Sequence, residues 1–299
     1  MPAPAGSPAP LVAVDAPSLM YRAFFALPTT ITDGRDRPVN ALLGTTNLIL
    51  QVVEQQRPRA VVMCWGPESA PYRTQAYPAY HADRPPMPAE LLGQWGDAPG
   101  FFEALGWASM DAGDLEADDL LGALADAETA AGGRTLLFTG DRDMFQCVSD
   151  SVAVLFPGSG RQGPAYVDAA EVRERYGIEP AQVPDFIALR GDPSDGLPGA
   201  KGIGEKTAAE LLRAHGDLEA LIALAADPAA ITRKLLRPKQ AGALLEQADE
   251  LRSFRDIATL RPIPVQRPPD RPTDGATGAA AARERGMLRL AERLEKLPG

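Results

Sequence analysis

Thr135-Leu136-Leu137-Phe138-Thr139-Gly140-Asp141-Arg142-Asp143 runs from an unbroken apolar segment straight into two carboxylates. A short apolar run closed by glycine reads as a strand buried on both faces. Working outward, Leu11-Val12-Ala13-Val14 ends at Asp15, and Arg59 to Trp65 ends at Gly66-Pro67. Val152 to Phe156 is a further strand, and Gly106 to Met110 a weak one. Helical patterns separate them: 18–26; 40–55, where Leu42, Leu43, Leu48, Ile49 and Val52 recur at near-helical spacing; 100–105; and 116–130, closed by Gly132-Gly133. Alternating strands and helices predict an α/β fold, a mostly parallel sheet with helices on both faces.

In such sheets ligands bind beyond the carboxyl ends of the strands. Asp15, Asp141 and Asp143 each follow a strand, on that edge. Glu116, Asp118 and Asp119 stand in the first turn of the helix that follows the weak strand. Acids in a first turn are, by themselves, ordinary capping and dipole chemistry. Their place on the same edge as the other acids points to cations instead, because a carboxylate leaving water is costly unless paired.

After residue 165 the character changes. Residues 167–176 and 183–189 read as helices. Then comes Arg190-Gly191-Asp192-Pro193-Ser194-Asp195-Gly196-Leu197-Pro198-Gly199-Ala200-Lys201-Gly202-Ile203-Gly204-Glu205-Lys206-Thr207-Ala208, running into a helix that ends near His215. Two helices joined by a tight glycine turn form a helix-hairpin-helix type unit, whose free N–H groups make a phosphate seat. Lys201 and Lys206 add charge to it. The turn is not a P-loop, because Glu205 stands before Lys206-Thr207, and no strand precedes it. Residues 216–260 look helical and carry a basic cluster, Arg233, Lys234, Arg237 and Lys239. A Pro- and Arg-rich linker from Ile263 to Asp274 leads to a terminal helix at 279–297.

Residues 67–95 hold six prolines, with Tyr72, Tyr77 and Tyr80 set among Arg73, His81 and Arg84. Aromatic groups interleaved with basic ones can stack bases and meet phosphates, and a Pro-rich surface loop has the same composition.

The chain has 299 residues and a net charge of −10, so contact with nucleic acid must rest on local basic patches and on metal ions. Two cysteines make a disulfide framework improbable and fit a reducing cytoplasm. Two histidines cannot build a His-rich zinc site. No apolar run approaches the ~20 residues of a membrane span, and residues 1–9 read as a disordered Pro/Ala tail.

Five segments, in order, resemble the bacterial 5′–3′ exonuclease and flap endonuclease family, including the exonuclease domain of bacterial DNA polymerase I. They are Val14-Asp15 with Tyr21-Arg22-Ala23-Phe24; Tyr80 to Pro88; Glu116-Ala117-Asp118-Asp119; Thr139 to Met144; and Ala188 to Ala208. The resemblance implies a PIN-like nuclease core at 10–184 with 67–95 as an arch-like loop, a helix-hairpin-helix subdomain at 185–262, and a linker and helix at 263–299. It also implies a stand-alone enzyme without a polymerase domain. Asp15, Glu116 and Asp118 would serve a first Mg²⁺ or Mn²⁺ ion. Asp118, Asp141, Asp143 and Asp192 would serve a second, with Asp119 and Asp195 acting through water. Arg22, Tyr80 and Arg84 match positions that handle the 5′ nucleotide and the scissile phosphate. Tyr21, Arg73, His81, Lys201, Gly202, Gly204, Lys206 and Thr207 would meet DNA, and K⁺ is expected at the turn.

Three positions depart from the family. Gly66 stands where it has an acidic ligand, His81 replaces a lysine, and Gly196 replaces an asparagine. Gly66 is expected to leave the first site one acid short. That site should demand more metal and favour Mn²⁺, with Gly66→Asp restoring it and Glu68 as a substitute. The expected activity is cleavage of DNA at a 5′ end or flap, by a monomer, and the sequence leaves open whether RNA-primed strands are taken. The alternative is a non-cleaving paralogue that recognises junctions. A drifting pseudo-enzyme should lose several acids, and here eight remain.

Overall fold

The computed structural model describes residues 8–158 and 163–297. Of the expected tail at 1–9, only Pro8 and Ala9 fall among these residues, and both are exposed. Five apolar runs become the parallel strands of one sheet: β1 (Leu11–Asp15), β2 (Ala60–Trp65), β3 (Ala108–Asp111), β4 (Thr135–Phe138) and β5 (Val152–Phe156). A short antiparallel β6 (Ala165–Val167), which apolar patterning does not reveal, closes one edge. The strand order is β3-β2-β1-β4-β5-β6. The central strands are buried on both faces, as their unbroken apolar runs require.

Helices α1 (Ala16–Ala26), α2 (Asn40–Gln56), α3 (Pro71–Ala76), α4 (Ala89–Ala104) and α5 (Ala117–Ala130) interleave with the strands. One core cluster gathers Val12, Val14, Met63 and Phe138 under α1, α2 and α4. The other gathers Ala13, Val62 and Leu137 under α5 and the helices between residues 169 and 258. The sheet therefore carries helices on both faces, as expected.

Residues 67–95 are not an open loop. Helix α3 and the start of α4 lie within them, and α4 begins at Ala89, not at residue 100. Pro71 sits in the first turn of α3, where its missing N–H costs nothing. Pro99 lies inside α4, the breaker that makes the sequence read as loop up to that point.

Beyond the sheet follow α6 (Ala169–Tyr176), α7 (Val183–Arg190), α8 (Glu205–His215), α9 (Leu218–Ala226), α10 (Pro228–Thr232), α11 (Pro238–Glu246) and α12 (Ala248–Ala258). Helices α7 and α8 with the glycine turn between them form the expected hairpin. The last stretch holds two helices, α13 (Gly275–Glu284) and α14 (Leu288–Leu294), divided at Gly286 (φ 69°). Both pack on the sheet's α4 side: Ala279, Leu290 and Leu294 share a cluster with Phe101, Phe102 and Leu105. The preceding segment is tied down as well. Arg271 N donates to Arg59 O at 2.8 Å, and the fully buried Glu128 binds both Arg59 and Arg267. Residues 263–297 therefore belong to the nuclease core's side of the molecule.

Candidate active site

Asp15 closes β1 and caps α1, accepting from Ser18 N at 3.0 Å. Its other oxygen accepts from Thr139 Oγ1 at 2.6 Å. That same hydroxyl accepts from Asp141 N at 2.9 Å, and Asp141 Oδ1 accepts from Asp143 N at 2.8 Å. A buried threonine thus links the ends of two neighbouring strands. Asp118 projects from the first turn of α5. Asp192 and Asp195 come from the tight turn after α7, where an isolated bridge joins Asp192 to Leu197. The N–H and hydroxyl of Ser194 both donate to Asp192.

These groups line one basin of 1160 Å³, together with Glu116, Tyr21, Tyr80, His81 and Arg84. Among the described residues no three acids close on a single point as the ligands of a bound ion do; they stand around the basin's wall. Burial raises the carboxyls of Asp15, Asp118 and Asp143, the latter two well above the usual range. Asp141 is pushed up to about 7, first by burial and then by the charge of Asp195. Repulsion from Asp141 adds to the shift at Asp118 and at Asp143. Uncompensated carboxylates sharing a water-lined space are an all-oxygen donor set, which suits a hard divalent cation.

Several expected site residues are engaged elsewhere. Asp119 is fully buried, belongs to the capping box of α5, and accepts from Arg261 N at 2.7 Å and Arg73 Nη2 at 3.2 Å. It does not line the basin, so its carboxylate is structural. Arg73, expected on DNA, is 3% exposed and is held by Glu116 Oε2 at 2.6 Å, Asp119 and Ile257 O. Burial pulls its guanidinium toward neutrality, and the two carboxylates more than reverse this. Arg22 donates to Gly158 O at 2.7 Å and does not line the basin. Periodicity could not show these outcomes, because each depends on a partner far along the chain.

Tyr80 is buried, and its hydroxyl donates to Glu116 Oε2 at 3.0 Å. His81 stacks on Tyr80 with ring centroids 3.7 Å apart and puts Nε2 3.0 Å from Asp195 Oδ1. The imidazole therefore tethers Asp195. Arg84 also reaches Asp195, at 3.3 Å, but keeps its side chain 38% exposed. Arg190, which sequence reading passed over, pairs with Asp192 at 3.1 Å. Ser18 was missed as well; its Oγ accepts from Gly140 N at 3.3 Å. A hydroxyl three residues beyond a strand-end acid is the one signal for it in the sequence.

At Gly66 the structure speaks against one part of the expectation, the repair by Gly66→Asp. A Cβ there would stand 2.7 Å from both Ala117 N and Leu115 O. The start of α5 closes directly over this glycine, so an aspartate cannot be added without moving backbone. Gly196 (φ 76°) is likewise shut in, its Cβ position 2.8 Å from Ala79 O.

Apart from the basin, Lys201, Gly202, Gly204 and Lys206 are exposed together, with Thr207 half-buried beside them. Gly204 caps α8 without a side-chain hydrogen bond, which leaves the helix's first N–H groups open.

Parallel strands that deliver carboxylates to one basin, in a chain that also exposes a lysine-flanked helix N-terminus, fit a nuclease. The 5'-3' exonuclease N-terminal resolvase-like domain matches residues 10–177, and the 5'-3' exonuclease C-terminal SAM fold matches residues 178–270. The chain belongs to the 5'-3' exonuclease family and is a nuclease. It is 38% identical to a 5'-3' exonuclease of Mycobacterium tuberculosis over 97% of this chain and 99% of the relative. It is 38% identical to a 5'-3' exonuclease of Streptomyces coelicolor over 73% of this chain and 76% of the relative. The DNA polymerase I of Mycobacterium bovis is 39% identical over 71% of this chain, which spans 24% of that protein. Among solved structures, T5 5'-exonuclease with bound zinc has the same fold, with a TM-score of 0.69 at 14% identity over 96% of this chain and 97% of that one. The catalytic core of Rad2 with DNA substrate follows at 0.62, over 96% and 91%.

Proposed function

We propose that this chain hydrolyses DNA phosphodiester bonds at a 5′ end or 5′ flap junction with divalent ions, Mg²⁺ or Mn²⁺. Asp15, Glu116, Asp118, Asp141, Asp143, Asp192 and Asp195 would hold them. The observation that carries this reading is the convergence on one basin of carboxylates from four separate segments, several of them with raised protonation ranges. The metal complex of the T5 relative and the DNA complex of Rad2 support it. When bound, paired ions supply an activated water and stabilise the departing oxygen.

The chain's own groups prepare that chemistry. Thr139 and Ser18 fix the Asp15 carboxylate, Asp143 N holds that of Asp141, and Tyr80 and Arg73 fix Glu116. Arg84, partly exposed at the basin, is placed to meet a phosphate. Tyr21 and Trp95 meet edge-on at 5.9 Å along the same wall and offer faces to an unpaired base. The 201–207 turn would seat duplex phosphates, with K⁺ on its open carbonyls.

The test is a labelled 5′-flap duplex incubated with purified protein in Mg²⁺, in Mn²⁺ and in chelator. Product that appears with metal and disappears with chelator is the expected result. Tight junction binding with no product in either metal would overturn the reading in favour of a non-cleaving junction binder.

A further inference from the structure

The basic cluster between α10 and α11 has no place in the site described above. Arg233, Lys234, Arg237 and Lys239 are all exposed, and no Asp or Glu occurs from Pro228 to Leu245. Among the described residues none of the four joins an ion pair, whereas Arg190, Arg252 and Arg255, in the same run of helices, do. Several other surface arginines are neutralised, as Arg173 is by Glu179 and Arg175 by Glu171. Four adjacent unneutralised cations in a chain of net charge −10 form a strongly local positive field. Helix α11 starts at Pro238 and adds its positive end to them.

The other end of α11 reaches the glycine turn. Gln247, which caps it, accepts from Lys201 N at 2.8 Å and donates to Gly199 O at 3.5 Å. Nine residues of helix therefore separate the cluster from the turn. At the helical rise this is ~14 Å, the length of about four base pairs of B-form duplex.

We infer that the Arg233–Lys239 cluster is a second contact for the phosphate backbone of duplex DNA, displaced from the glycine turn by the length of α11. This rests on reading the chain as a duplex-binding nuclease. The two contacts lie at the ends of one rigid element, so their spacing is fixed, and a duplex must be long enough to touch both.

The experiment measures binding of the full chain in chelator, as a function of salt, to two sets of 5′-flap DNAs. In one set the duplex arms are short. In the other, each arm in turn is longer by about five base pairs, enough to add the ~14 Å. The variants are Arg233→Ala, Lys234→Ala, Arg237→Ala and Lys239→Ala combined; Lys201→Ala with Lys206→Ala; and Arg233→Lys with Arg237→Lys, which keeps the charge. If the inference holds, the quadruple variant loses about 3.6 units of salt slope on a long-arm DNA, at about 0.9 per phosphate, and little on the short ones. The turn variant loses slope on both, and the charge-keeping variant behaves as wild type. Equal slopes for wild type and the quadruple variant on every long-arm DNA, with matching thermal melting, would overturn the inference. Wild type binding no duplex at all would overturn the nuclease reading with it.

Discussion

Arg73 and Glu116 form a buried ion pair, Nη1 to Oε2 at 2.6 Å, with the side chains 4% and 8% exposed. The pair lies against the basin that the carboxylates line, and Arg73 is the only cation holding both Glu116 and Asp119 among the described residues. Its charge is spent on the fold, so DNA cannot draw on it.

Replacing Arg73 with Gln strands two carboxylates away from water. Breaking a buried pair from one side costs about 3–5 kcal/mol. Urea unfolding should register that loss, and cleavage should fall because Glu116 is no longer held. A change below about 1 kcal/mol, the range of an exposed pair, would show that Arg73 is not structural.

Gly66→Asp should not strengthen metal use. The added Cβ meets the backbone of Leu115 and Ala117 at 2.7 Å, so both Gly66→Ala and Gly66→Asp should lower the melting temperature. A metal titration of cleavage should show Gly66→Asp no better than wild type. A several-fold drop in the metal needed for half-maximal rate would mean that the start of α5 moves aside readily.

The acids make metal-free stability depend on pH. Folded protonation ranges lie above unfolded ones for Asp15, Asp118, Asp141 and Asp143, with Asp141 raised from 3.8 to about 7. A raised carboxyl lends its full stability below the unfolded value and loses it as pH rises through the folded value. Without metal, melting should therefore fall from about pH 5 to about pH 8, and added Mg²⁺ should raise it more at the higher pH. Equal Mg²⁺ stabilisation at both would separate the acids from metal binding.

Asp141→Asn keeps the oxygen that accepts from Asp143 N and removes a charge repelled by Asp195 and Asp15. The variant should melt higher than wild type in chelator at about pH 8, and should lose cleavage while still binding flap DNA, because an amide is a poor Mg²⁺ ligand. Cleavage near the wild-type rate would remove Asp141 from the metal set.

Lys201→Ala with Lys206→Ala should weaken duplex binding, lower its salt slope by about two units and leave the position of cleavage unchanged. An unchanged slope would assign the turn to packing alone.

The sequence by itself determined the parallel sheet and the edge where the chemistry sits. Unbroken apolar runs such as Leu11–Val14 and Leu136–Phe138, alternating with helical patterns, read as parallel strands buried on both faces, and the acids that follow them then share one edge. It also located the glycine turn, because exposed N–H groups need glycine there and lysines flank it. Only the tertiary structure decided which charges remain free. Asp118 and Asp119 are neighbours in one helical turn, yet one faces the basin and the other is claimed by Arg73 and the N–H of Arg261. Arg73 and His81 read as DNA contacts until carboxylates, those of Asp119 and Asp195, are brought against them from far along the chain. Gly66 reads as a missing acid until α5 closes over it. Local pattern fixes which face a side chain takes, whereas its charge is neutralised by whatever long-range packing places within a few ångströms, and the chain order does not record that.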